Sequence, residues 1–384
     1  VISRPKIAVF FGTRPEAIKL APVIRALADD DRFQLLSVST GQHREMLDQV
    51  VKIFDLPIDH DLDVMVPNQT LAGLSSRLIS KIDTLVEREE PDFALVQGDT
   101  TTVLMASLAC FYRSVPTGHV EAGLRTRNMK SPFPEEANRV LATPLSTLHF
   151  APTEVSRDHL LTDGVRQDAI YVTGNTVIDA LQMEVSNQEL PSVQAEIKAH
   201  LDGLLPSDWR DIPFVLITGH RRENFGGGFD AICGAIGELA GKFPHTRFVY
   251  PVHLNPNVQA PVNRLLGAFD NVFLIPPQSY RPFVALMKAC RIVLTDSGGV
   301  QEEAPGLGKP VLVMRDTTER PEGVSAGTVR LVGAVREKIV ESVSELLTDG
   351  KAYAKVAEAR NPYGDGTAAV QIIAAIADYF QRRR

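Results

Sequence analysis

At 384 residues the chain is long for a single hydrophobic core, and two domains are expected. Apolar residues make up 44% and charged residues 23%, the ordinary balance of a soluble globular protein. A net charge of −7 argues against a nucleic-acid partner and leaves room for a small anionic ligand on a local basic cluster.

Lys6–Phe11 is a compact apolar run and reads as a first strand. Gly12-Thr-Arg-Pro-Glu16 follows and opens a helix that runs through Leu27. Pro15 suits a first helical turn, where its missing N–H costs nothing. Phe33–Thr40 repeats the pattern, followed by Gly41-Gln42-His43-Arg44 and a helix to about Phe54. A short extended piece leads into an amphipathic helix over 70–89. Phe93–Gln97 is a strand ending in Gly98-Asp99-Thr100, with a helix to Tyr112. Thr117–Val120 ends in Glu121-Ala-Gly123, and Ser131-Pro-Phe-Pro-Glu135-Glu136 opens the next helix. Leu148–Ala151 and Ile170–Val172 complete the series.

The alternation fades over about 185–211, where Asn187–Pro191 and Leu205–Asp208 are turn-rich, and a domain boundary is expected near there. A second series has strands at roughly 214–218, 246–252, 272–275, 291–295, 310–314 and 328–332. The expected division is 1–184 and 185–364, with a final helix over 365–384 that returns to the first domain. Strand–helix alternation without hairpin signals implies an α/β fold of two doubly wound, Rossmann-like, mainly parallel sheets. Ligands gather at the carboxyl ends of such strands. Arg14, Gln42, Asp99 and Glu121 fall on that rim in the first half. His220, Arg221, His253, Gln278, Ser297 and Arg320 fall on it in the second.

The most informative stretch is Asp296-Ser-Gly-Gly-Val-Gln-Glu-Glu303, after the apolar run 291–295. Ser297, Gly298 and Gly299 read as a tight turn before a helix over 300–306. Free backbone N–H groups and the positive end of a helix dipole then meet at one point, where glycine lets a bulky anion approach. Glu303, about one turn on, is placed to accept from sugar hydroxyls. The stretch reads as a diphosphate-plus-ribose site, with an ordinary strand–helix turn as the alternative. Asp99, Glu121 and Glu135 are candidates for proton transfer. For Asp99 the competing reading is a helix N-cap, and for Glu135 a charge in a helix first turn. Arg14 and Lys19 read either as ligand contacts or as solvated helix charges. His220, between a strand end and a basic pair, is suited to donate to a phosphate.

No GxGxxG follows a strand and no GxxxxGK[ST] occurs, so nicotinamide and P-loop chemistry are not expected, and neither is a metal, since no HExxH-type set is present. Cys110, Cys233 and Cys290 are scattered in apolar surroundings and read as buried thiols, which points to the cytoplasm. No apolar run approaches a membrane span and no signal peptide is evident, although a chain that begins with Val suggests a trimmed start.

With these residues in hand, the chain resembles the non-hydrolysing UDP-N-acetylglucosamine 2-epimerases of bacteria over nearly its whole length. The resemblance rests on Gly12-Thr-Arg-Pro-Glu-Ala-Ile-Lys19, Gln42-His-Arg-Glu-Met-Leu47, Gln97-Gly-Asp-Thr-Thr-Thr102, His119-Val-Glu-Ala-Gly-Leu-Arg125, Pro132-Phe-Pro-Glu-Glu-Ala-Asn-Arg139, Thr218-Gly-His-Arg-Arg-Glu-Asn224, Pro251-Val-His-Leu-Asn-Pro256 and Asp296–Glu303, in that order. It implies two Rossmann-like domains of the GT-B type with the active site in the cleft between them. It implies reversible interconversion of UDP-GlcNAc and UDP-ManNAc through 2-acetamidoglucal and UDP, with no cofactor. It casts Asp99, Glu121 and Glu135 as the acid/base set and His220 as support for the leaving diphosphate. Arg14, Lys19, Gln278, Phe283, Ser297, Gly298, Gly299, Glu303 and Arg320 become UDP-sugar contacts. A second UDP-GlcNAc acting as activator would use Gln42, His43, Gln69, Arg221 and His253, although Asn68 departs from the basic residue expected there. A homodimer serving cell-envelope polysaccharide synthesis is implied, with no nucleic-acid or membrane partner. The competing readings are a GT-B glycosyltransferase, a hydrolysing epimerase, a relative acting on a UDP-diacetamido sugar, and an inactive nucleotide-sugar sensor.

Overall fold

The computed structural model describes residues 4–41 and 44–383. The chain divides into two compact units, one formed by residues 1–183 and 363–384, the other by residues 184–362. The first division falls inside the helix Thr176–Asn187.

In the first unit the strands are β1 (Lys6–Phe11), β2 (Gln34–Ser39), β3 (His60–Asp61), β4 (Phe93–Gln97), β5 (Thr117–Val120), β6 (Leu148–Ala151) and β7 (Ile170–Val172). They form one sheet in the order β3-β2-β1-β4-β5-β6-β7, with every pair parallel. Parallel strands covered on both faces need continuous apolar runs, and β4, with every residue buried, meets that need. Ala8, Phe10, Val38 and Val96 from the sheet pack with Leu78 and Ile82 of the helix Leu71–Glu89 and with Val103 of the helix Thr101–Tyr112. The last helix, Ala368–Arg382, belongs to this unit. Tyr379 meets Phe93 edge-on at 5.4 Å, and buried Asp179 accepts the N–H of Ala369 at 2.8 Å, satisfying one of that helix's orphan donors.

The second unit carries β8 (Phe214–Thr218), β9 (Arg247–Pro251), β10 (Val272–Ile275), β11 (Ile292–Thr295), β12 (Val311–Val313) and β13 (Val329–Leu331). Its sheet is also parallel throughout, in the order β10-β9-β8-β11-β12-β13. Ile217, Phe248, Tyr250 and Leu294 from the sheet pack with Phe229 and Ile236 of the helix Gly227–Lys242.

Both sheets reverse their winding direction at one place, between β1 and β4 and between β8 and β11. In a doubly wound sheet the crevice beyond the carboxyl ends at that switch point is where ligands bind. Gly12–Arg14 and Gly98-Asp99 flank it in the first unit, and Gly219–Arg221 with Asp296–Gly298 in the second.

Two buried histidines lie side by side toward the β7 edge of the first sheet, His119 on β5 opposite His149 on β6. Burial pushes His119 down to about 4, opposed by its hydrogen bond to the Gly98 carbonyl, and burial pushes His149 down to about 3. In the unfolded chain both titrate near 6.5. The unfolded state therefore binds more protons below that pH, and stability falls as pH drops through about 6.5 toward about 4. Thermal melts between pH 6.5 and pH 5 are expected to show this fall, with a shallower slope in a His119→Gln/His149→Gln double variant. An unchanged slope would contradict it.

Candidate active site

The loop after β1 is fixed by a capping box. Thr13 is the N-cap of the helix Arg14–Ala28, and buried Glu16 returns its carboxylate to the N–H groups of Gly12 and Thr13 at 3.0 and 2.8 Å. The other oxygen of Glu16 accepts from the Thr100 hydroxyl at 2.6 Å, which ties together the two loops at the switch point. Burial raises the pKa of Glu16, and these hydrogen bonds oppose the rise. Arg14, at the mouth, is half-buried, and its guanidinium makes no hydrogen bond or ion pair among the described residues.

Asp99 follows Gly98, which turns the chain at φ +80. The N-cap of the helix Thr101–Tyr112 is Thr100, whose hydroxyl accepts from Val103 N–H at 3.3 Å. The capping role considered for Asp99 is thus filled by its neighbour. Asp99 Oδ2 accepts from Arg139 at 2.7 Å, and its carbonyl accepts from Asn138 at 2.8 Å. Both partners lie on the helix Glu135–Ala142, so the Asp99 loop and the start of that helix are held together.

Glu121 is the most constrained of the three carboxylates. It ends β5 with φ +62, a left-handed conformation that costs a non-glycine residue about 1–2 kcal/mol. Its side chain is buried. Both oxygens receive Lys19 Nζ, at 2.6 and 2.7 Å, Oε1 also accepts from Asn175 at 3.1 Å, and Oε2 accepts from Gln97. The sharp turn continues to Gly123, where a Cβ would collide with the Ser156 carbonyl. Lys19, expected as a substrate contact, is here the partner of Glu121.

Glu135 and Glu136 are neighbours with different tasks. Glu136 is buried and accepts from the N–H groups of Thr126 and Arg127 at 3.0 and 2.9 Å. Glu135 is half-buried and has no hydrogen bond or ion pair among the described residues.

In the second unit the helix after β11 begins at Gly298, two residues earlier than the glycine turn suggested, and runs to Gly306. Ser297 is its N-cap, and its side chain makes no capping bond. A Cβ at Gly299 would meet nothing within 4 Å, and one at Gly298 would lie 3.8 Å from Arg221 Nη2 and from Arg320 Cζ. Two guanidinium groups therefore stand beside a helix N-terminus whose first N–H groups lack a capping side chain, a combination suited to a diphosphate. Arg320 is steadied by Glu302 at 2.7 Å, and Arg221 Nε is buried without a hydrogen-bond partner among the described residues. Glu303 is 8% exposed and accepts from the buried Tyr280 hydroxyl at 3.2 Å.

His220 follows β8 and stacks on His253, ring centroids 5.4 Å apart. Burial lowers its pKa, Asp296 opposes that, and Arg221 and His253 add to it. Gln278 Oε1 accepts from His200 Nε2 at 2.8 Å, and its Nε2 donates to the Pro276 carbonyl at 2.6 Å. Phe283 is half-buried on the helix Tyr280–Ala289. Of the activator positions, Gln42 and His43 lie outside the described residues. Gln69 closes a local turn, accepting from Arg77 at 2.6 Å, and Asn68 sits at φ +54, which asparagine tolerates better than most residues.

Sequence reasoning gave no role to Glu16, Gln97, Arg139, Asn175 or Asp296. Each is a polar residue beside or within an apolar run that the structure buries, and the Thr13-x-x-Glu16 spacing was a readable capping signal. Among the described residues no group of three His, Cys, Asp or Glu side chains is arranged to hold a metal, and no helix is long and apolar enough to cross a membrane. The three cysteines are buried, and burial pushes each thiol up to about 12.

Two Rossmann-like, doubly wound parallel units, one with an open helix start beside two guanidinium groups and one with three carboxylates at strand and helix ends, are the architecture of the GT-B fold class. The crystal structure of the UDP-GlcNAc 2-epimerase from Neisseria meningitidis bound to UDP-GlcNAc superposes with a TM-score of 0.88 at 49% identity, covering 97% of this chain and 100% of that one. The UDP-N-acetylglucosamine 2-epimerase of Yersinia pestis is 53% identical over 378 residues, 97% of this chain and 99% of that protein. The Escherichia coli K12 enzyme of the same name is 52% identical over 373 residues, 97% and 98% of the two chains. A family model described as UDP-N-acetylglucosamine 2-epimerase matches residues 25–377. The chain belongs to that family.

Proposed function

We propose that this chain interconverts UDP-GlcNAc and UDP-ManNAc by eliminating UDP and adding it back. The sugar C2 has no carbonyl beside it, so its proton is not acidic enough to be removed alone. Removal becomes feasible when the C1–O bond breaks in the same stage. The C2–H electron pair then forms the C1–C2 double bond of 2-acetamidoglucal, and UDP leaves with the C1–O pair. Return of UDP to C1, with a proton delivered to the other face of C2, gives the epimer. The chemistry needs a base, an acid and stabilisation of the departing diphosphate.

The observation that carries this reading is the division of charge along one chain. Asp99, Glu121 and Glu135 lie at strand or helix ends of the first unit, while Arg221 and Arg320 flank the open helix start at Gly298 in the second. Held by Arg139 and Lys19, Asp99 and Glu121 are kept in place, and the Glu135 carboxylate makes no hydrogen bond or ion pair among the described residues. Incubation with UDP-GlcNAc alone, followed by proton NMR of the anomeric region, is expected to show a second nucleotide-sugar signal growing to a fixed ratio. Release of free sugar, or no change without an added acceptor, would favour a hydrolase or a transferase instead.

A further inference from the structure

Asp296 is fully buried at the end of β11. Its Oδ2 accepts from the backbone N–H groups of His220 and Arg221, both at 2.8 Å, and so shapes the loop after β8. Its Oδ1 has no hydrogen-bond partner among the described residues and lies 3.4 Å from His220 Nδ1. A buried carboxylate oxygen left without a donor is costly, and the donor beside this one is the imidazole. A small rotation of the ring closes the gap. The ring is free to make it, being 42% exposed and bounded on one face by His253. With Nδ1 turned to Asp296, Nε2 points away from the carboxylate.

We propose that Asp296 is a positioning residue for His220, holding Nδ1–H so that the imidazolium donates Nε2–H to the diphosphate of a bound nucleotide. The proposal deepens the reading above, since it assigns how one side of the departing group is met. The charged and titratable neighbours of the ring are Asp296, Arg221 and His253, and Tyr250 reaches the same loop through the Gly219 carbonyl at 3.2 Å. Burial, Arg221 and His253 favour the neutral ring, and Asp296 favours the charged one. An anion at Nε2 adds to the pull of Asp296, so docking of a diphosphate draws a proton onto His220. Asparagine at 296 would keep an oxygen for the two backbone N–H groups but would present an NH₂ to Nδ1, removing the support for the imidazolium.

The test is proton uptake on UDP binding, measured by calorimetry at pH 7.5 in two buffers of different ionisation enthalpy. The wild-type chain is expected to take up a substantial fraction of a proton, and His220→Asn and Asp296→Asn little or none. Equal uptake by wild type and Asp296→Asn, or uptake that persists in His220→Asn, would overturn the proposal. If Asp296→Asn weakens UDP binding, the double variant separates the causes: positioning through His220 predicts the affinity of His220→Asn alone, whereas a loosened loop predicts further loss and refutes the assignment. The measurement reads UDP binding only, so it stands or falls apart from whether the sugar is epimerised.

Discussion

Glu135→Gln is expected to lower turnover by about two to four orders of magnitude, the usual worth of a positioned proton-transfer group. It is also expected to leave the melting temperature and the affinity for UDP-GlcNAc close to wild type. The reason is structural. Glu135 is half-buried and makes no hydrogen bond or ion pair among the described residues, so its neutral isostere disturbs nothing that holds the fold. Its neighbour supplies the control. Glu136→Gln weakens the acceptor of the Thr126 and Arg127 N–H groups and the 3.4 Å contact with Arg139, so its first effect is on stability. Glu121→Gln combines both effects, because it also leaves Lys19 without its carboxylate partner in a mostly buried site. Full turnover in Glu135→Gln would remove it from the acid/base set.

Ser297→Tyr is expected to weaken UDP binding at least a hundredfold in a calorimetric titration, roughly 2.7 kcal/mol or more, with circular dichroism unchanged. Ser297 caps the helix Gly298–Gly306 by backbone conformation alone, φ −81 and ψ 132, and its hydroxyl makes no hydrogen bond among the described residues, so it has none to lose. The space beside Gly299 is open, and a phenol ring at 297 stands where an anion must approach the first N–H groups and the two guanidinium ions. Binding at wild-type strength would place the diphosphate elsewhere.

The strands and helices were readable because each carries its own local pattern. Phe93–Val96 is apolar throughout, and Pro15 and Thr13 mark a helix start. The rim positions followed from topology, since a doubly wound sheet sends every strand's carboxyl end to one side. What could not be read were the bonds that assign tasks. Lys19 and Glu121 are 102 positions apart and meet only because β1 and β5 lie in the same sheet on either side of β4. Whether Asp99 or Thr100 caps the next helix depends on one pair of dihedral angles, and both residue types are good caps. Asp296 looked like the opening of a glycine turn. Only the pairing of β8 with β11 shows that its carboxylate serves the His220 loop. The start of the Gly298 helix was misjudged for a similar reason. Glycine disfavours helix interiors by propensity, yet at a first turn the missing side chains leave room for a ligand.

The reaction in deuterium oxide tests the account most directly. UDP-GlcNAc incubated with the chain and recovered before equilibrium should carry its epimer with deuterium at sugar C2, read as loss of the C2 proton signal and a gain of one mass unit. Epimer formed with its C2 hydrogen wholly retained would contradict proton exchange by carboxylates and the elimination built on it.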